Sequence, residues 1–264
     1  MPVPTVDVVP RTTTVRGHDG LKLAATTVAP VGEPRCTALL LHGEGADRDQ
    51  GGFYTRLASE LAGHGVASLR VDLPGHGDSE GAQEELSLSG LLNVISAGLT
   101  HLRENVAPGP AALVATGLTG GVAAGYAARR GDEVANVVLY NPLIDYQEHF
   151  ADSNPAWSGG FLGAEAGRAL LADGYLRVSD TFVVGRAMLN EVFWLQPRGV
   201  LPVITAPTLV VHRAGPSGAP LSSSRSAVEA LTCPSRLVEI GPPVEAHWQA
   251  PAIRVTTEWL LGSR

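Results

Sequence analysis

Several things are scarce in this chain of 264 residues, and each scarcity removes a class of function. Lysine occurs once, at Lys22, and arginine supplies almost all the positive charge. No basic stripe interrupts a net charge of −7, so neither nucleic acid nor an anionic membrane is expected as a partner. Cys36 and Cys233 stand alone, without the paired spacing of a zinc site or a disulfide framework. The histidines at 18, 64, 101, 149 and 212 share no ligand spacing, and no metal or other cofactor is expected. No apolar run approaches the roughly 18 residues that span a bilayer. The segment Met1–Asp7 has neither a basic start nor an apolar stretch, so it does not read as a signal peptide. The expectation is a soluble, cytoplasmic protein; its oligomeric state is not written in the sequence.

What is present is a globular composition, 44% hydrophobic and 17% charged, in a length that one layered α/β domain accommodates. Asp19-Gly20 between two β-rich runs over residues 11–29 predicts a hairpin. A rhythm of buried strands and helices follows. Strands are predicted at Ala38–Leu41, Val66–Val71, Ala111–Ala115 and Val134–Tyr140. Helices are predicted at Phe53–His64, Leu88–Arg103 and Gly121–Arg130. Alternation at this spacing gives βαβ units, hence a mostly parallel sheet with right-handed crossovers and helices on both faces.

Regularity fails after Asn141-Pro142. Residues 145–199 carry many of the aromatics and show no obvious strand, and are read as a helical cap inserted into a core formed by 1–144 and 200–264. The core resumes with strands at Thr208–His212 and Arg236–Ile240 and helices at Ser222–Leu231 and Pro251–Leu261.

The hairpin, Leu41-His42-Gly43 after a buried strand, and Asp72-Leu73-Pro74-Gly75-His76-Gly77-Asp78-Ser79 together resemble the α/β-hydrolase superfamily. The likeness is to its serine-aminopeptidase and lysophospholipase-like branch, and runs from about residue 11 to the end. It implies the α/β-hydrolase fold and a nucleophile on a tight strand-to-helix turn, G-x-S-x-G. Here that stretch reads Val114-Ala115-Thr116-Gly117-Leu118-Thr119-Gly120-Gly121, and no serine is in it. Three registers compete. An ungapped match through to Arg129-Arg130 puts Gly117 at the serine position, the Gly120-Gly121 pair puts Leu118 there, and the literal motif offers Thr119.

The resemblance also implies a carboxylate after the strand Thr208–His212, but residues 213–220 contain none. Some relatives take this acid from the end of the preceding strand, where this chain has Asp145; the alternative for Asp145 is a cap-hinge or surface role. His247 stands where the family's catalytic histidine sits, suited to acid–base work near neutral pH. Backbone donors for an oxyanion would follow Gly43, at Glu44, and follow Gly117, at Leu118. Glu44 itself is unexpected beside such a hole.

Three functions remain open. One is non-covalent, His-assisted acid–base chemistry on a small apolar acyl or carbonyl metabolite, of lyase, dehydratase, isomerase or cyclase type, secondary metabolism included. Another is an esterase or thioesterase using Thr119. The last is a non-catalytic relative that binds a small ligand or a partner.

Overall fold

The protein is described from a computed structural model over residues 9–214, 219–241 and 248–262. Its main sheet has eight strands: β1 (Arg11–Arg16), β2 (Lys22–Val28), β3 (Cys36–Leu41), β4 (Val66–Val71), β5 (Ala111–Thr116), β6 (Val134–Tyr140), β11 (Thr208–Arg213) and β12 (Ser235–Ile240). The spatial order is β1-β2-β4-β3-β5-β6-β11-β12. The β1/β2 and β2/β4 pairings are antiparallel, and every pairing from β4 to β12 is parallel. This is the α/β-hydrolase fold.

The central strands are buried on both faces, which is why they read as unbroken apolar runs. Their period of two divides the core. Leu39, Leu41, Leu113 and Ala115 face α2 (Leu88–Asn105) and α3 (Leu118–Arg129). Ala38, Leu40, Ala112 and Val114 face α1 (Phe53–Gly63) and α7 (Gln249–Gly262). The helix α6 (Leu221–Ala230) joins the α2 and α3 side through Ala227.

Because the strands are parallel, the loops leaving β3, β5, β6 and β11 emerge at one edge. They carry Glu44, Gly117, Asn141 and Arg213 respectively. Ligands of open α/β sheets bind at that carboxyl edge.

The segment 145–199 departs from the helical expectation. It holds α4 (Ala164–Asp173) and α5 (Arg186–Glu191), a π-helical turn at Glu148–Asp152, and two antiparallel hairpins outside the main sheet. The hairpins pair β7 (Trp157–Ser158) with β8 (Phe161–Leu162), and β9 (Tyr175–Ser179) with β10 (Phe182–Gly185). Physically, each hairpin satisfies its own backbone locally, so neither needs the long apolar strand that marks a sheet member. The segment is tied to the core by Glu191, whose carboxylate accepts from the Leu88 and Ser89 N–H groups at the start of α2. Phe182, Val184 and Met188 add buried apolar contact. Among the described residues no helix is long and apolar enough to cross a membrane.

Candidate active site

The turn from β5 into α3 is the sharpest feature of the carboxyl edge. Gly117 has φ 57° and ψ −121°, a conformation that residues with a Cβ adopt only under strain. Its N–H donates to the Tyr140 carbonyl at 3.0 Å, and its carbonyl accepts from Gly120 and Leu143. The turn is therefore pinned on both sides.

Leu118, the first residue of α3, points its N–H at the Glu44 carboxylate, with N···Oε2 2.9 Å. A Cβ built on Gly117 would lie 2.5 Å from that same oxygen. The carboxylate thus occupies the volume that a side chain at 117 would fill. The position suits a negative group, because an unpaired helix-start N–H and the positive end of α3 both face it. Tyr146 supports the turn from beneath by donating to the Leu118 carbonyl at 2.8 Å. Burial, aided by the nearby Glu44 carboxylate, pushes the Tyr146 phenol well above the ordinary tyrosine value, so the donor stays neutral.

Thr119 faces the other way. Its hydroxyl is 2.9 Å from the carbonyls of His42 and Thr116 and 3.1 Å from that of Leu41, and the residue is 2% exposed. It fastens the start of α3 to the ends of β3 and β5 and does not line the cavity beside Gly117. Asp145 also lies away from that cavity. It pairs with Arg198 at 2.7 Å, caps the Glu148 N–H at 2.9 Å, and lines a separate recess of about 760 Å³. The structure does not bring Asp145 and Thr119 together. His247 lies outside the described residues.

The cavity at the turn has a volume of about 550 Å³. Gly43, Glu44 and Gly117 form one end, and Phe53, Tyr140 and Trp248 form an aromatic wall. The Phe53 ring meets Tyr140 edge-on at 5.0 Å between centroids and Trp248 at 4.6 Å. At the far end Arg213 lays its guanidinium 5.1 Å from the Trp248 ring centroid. Asn141, at φ 42°, holds the Arg213 backbone twice, accepting its N–H at 2.8 Å and donating to its carbonyl at 3.2 Å. Gln249 also lines the cavity, and its buried amide oxygen has no partner among the described residues. Among the described lining residues there is no serine or cysteine, and the Thr116 hydroxyl is bonded to Tyr54 at 2.7 Å.

Behind this edge, the histidines of the two sequence motifs serve the scaffold. Leu73 N–H donates to His42 Nε2 at 3.0 Å, while Nδ1 donates to the Gly43 carbonyl at 2.7 Å. Burial lowers the His42 pKa to about 4, which keeps the ring neutral and able to accept. His76 is bonded likewise, from Nδ1 to the Pro74 carbonyl and from Gly45 N–H to Nε2, and burial lowers its pKa too.

The sequence singled out Gly43, Glu44, Gly117 and Leu118, and the structure places all four together. It missed Arg213, Asn141, Gln249 and the aromatic wall. A signal was available for Arg213, a basic residue directly following a buried parallel strand.

Residues 32–178 of the chain match the family model described as serine aminopeptidase, S33. No curated protein sequence matches. Among solved structures it is similar to Est1E from Butyrivibrio proteoclasticus with ferulic acid bound. That likeness has a TM-score of 0.80 and 19% identity over 95% of this chain and 99% of the other. A putative hydrolase from Agrobacterium vitis gives 0.77 and 21% over 98% and 99%. A monoacylglycerol lipase from Paleococcus ferrophilus gives 0.69 and 19% over 92% and 99%. Identities this low speak for the fold alone. With the family model covering more than half its length, this chain belongs to the serine aminopeptidase (S33) family of α/β hydrolases.

Proposed function

We propose that this protein is a small-molecule enzyme that works on an apolar acyl or carbonyl compound without forming an acyl-enzyme. In this reading Gly117 stands where the family presents its nucleophile, and Glu44 is the proton-transfer group. One observation carries it: the Glu44 carboxylate fills the side-chain volume of Gly117 and accepts the Leu118 N–H at 2.9 Å.

Two consequences follow from that contact. A hydrogen atom at 117 attacks nothing, so covalent catalysis has no starting point there. The N–H that would stabilise an oxyanion is held by a carboxylate, and a substrate carbonyl oxygen must take its place. The exchange polarises the substrate carbonyl and releases Glu44 beside it. A carboxylate next to a polarised carbonyl removes a proton from the α-carbon. The C–H electron pair then becomes the enolate, whose oxygen rests on the Leu118 N–H, and the proton resides on Glu44. Returning the proton elsewhere isomerises the substrate, and loss of a β-substituent with its electron pair completes an elimination. His247, by its place in the family pattern, is the second acid–base group of this proposal.

The aromatic wall supports an apolar or aromatic substrate body, as does the ferulic acid held by the structurally similar Est1E. Thr119 is assigned a structural part, because its buried hydroxyl has its one proton committed among three nearby backbone carbonyls.

The test is twofold. A fluorophosphonate probe should leave the protein unlabelled, whereas labelling at Thr119 would establish the esterase reading. In D2O, α-protons of a panel of arylalkyl ketones and acyl thioesters should exchange, and Glu44→Gln should slow exchange by about 100-fold or more. Exchange undiminished in Glu44→Gln refutes the role of Glu44. Absence of exchange across the panel, with binding retained, assigns the site to ligand binding.

A further inference from the structure

Several described arginines pair with acids, and Arg213 is among those that do not. Arg48 lies on Asp72 and Asp78, Arg70 on Asp49, Arg198 on Asp145, and Arg225 on Glu239. Arg213 has no acidic partner among the described residues. Instead, its backbone is clamped by Asn141 on both sides, and its guanidinium carbon lies over the Trp248 ring, 5.1 Å from the centroid, in the wall of the 550 Å³ cavity. A guanidinium held over an indole face by a cation–π contact keeps its N–H donors for an anion. Gln249 lines the same cavity and adds an amide to its polar groups.

We infer that the cavity binds a small organic acid whose carboxylate is held by Arg213 at the end remote from Glu44. Its apolar or aromatic body lies along Phe53, Tyr140 and Trp248. The identity of the reacting end rests on the proposed function; the anion site does not.

Charge and distance agree with this placement. Arg213 and Glu44 are the described charged residues lining the cavity. Arg213 closes β11 and Gly117 follows β5, with β6 between them. Two strand spacings set these backbones about 10 Å apart. An acid group at Arg213 therefore stands clear of the Glu44 carboxylate, and the substrate places several bonds between its acid and its reacting carbonyl. Two ligand functions are thereby separated: one end gives affinity, the other is presented for proton transfer.

The experiment is equilibrium binding, by calorimetry, of 3-phenylpropanoate and its uncharged analogue 3-phenylpropanamide. The wild-type protein should prefer the acid by about tenfold or more. Arg213→Gln should erase that preference while leaving the amide within about twofold, and Arg213→Lys should keep part of it. Glu44→Gln should retain the preference. Equal binding of the two ligands, an acid preference that survives Arg213→Gln, or no binding of either by folded wild-type protein overturns the inference. Failure of the Glu44-dependent exchange with the acid preference intact would instead overturn the catalytic reading alone.

Discussion

Replacing Gly117 by serine tests the central contact of this site. The new Cβ would stand 2.5 Å from Glu44 Oε2, closer than real contacts allow, so the carboxylate must leave and the Leu118 N–H loses its partner. Holding a residue with a Cβ at φ 57° and ψ −121° costs roughly 1–3 kcal/mol. The lost charge-assisted hydrogen bond adds about 1 kcal/mol, reduced from the buried value because Glu44 is only partly buried. The sum, roughly 2–4 kcal/mol, lowers Tm by roughly 5–15 °C for a chain of this size. Glu44→Ala alone should cost about 1 kcal/mol. The double variant should be no less stable than Gly117→Ser, because the serine has already expelled the carboxylate. Urea unfolding of all four proteins should therefore give a coupling free energy of about −1 kcal/mol. Additivity within about 0.3–0.5 kcal/mol would show that Glu44 does not occupy this volume, and the reasoning about the site would fall with it.

Two further outcomes concern the scaffold. His42 has a folded pKa of about 4 against an unfolded value near 6.5. The unfolded chain therefore takes up a proton first, and the stabilisation present above pH 6.5 is lost as the pH falls toward 4. The loss is on the order of 3 kcal/mol, read by urea unfolding at pH 7 and pH 4.5, and a flat profile would contradict it. Thr119→Val should cost about 1–3 kcal/mol by stranding buried carbonyls at the ends of β3 and β5 while leaving α-proton exchange intact; loss of exchange at full stability would make Thr119 part of the chemistry.

The strands of the core were legible because burial on both faces writes itself as uninterrupted Val, Leu and Ala, and β4 and β6 have the bounds their sequences predict. The hairpins of residues 145–199 were not. β7 and β8 have two residues each, too few for any period. β9 runs Tyr175–Ser179 with its last three residues exposed, so alternation gives no strong signal. At the turn, helix length favoured Gly117, while the literal motif drew notice to Thr119, whose orientation depends on a helical phase that spacing alone does not fix. The contact between Glu44 and Leu118 spans 74 residues and exists only because β3 and β5 are neighbours. Arg213 opens the segment 213–220, which the resemblance marks only for a carboxylate, and a charge becomes informative only when its surroundings are known.

Asp72 binds the Arg48 and Asp78 backbone N–H groups at 2.6 and 2.9 Å, and Gly77 packs so near that a Cβ there would collide with the carboxylate. The stretch from Asp72 to Ser79 is therefore a knot of turn-making bonds, employed in joining β4 to β2 and to the loop after β3. Its survival in a sequence certifies that the sheet edge has been built and is silent on what reacts there. A chain can keep this signature intact while its chemistry drifts, and activity inferred from the knot alone would be credited to the wrong residues.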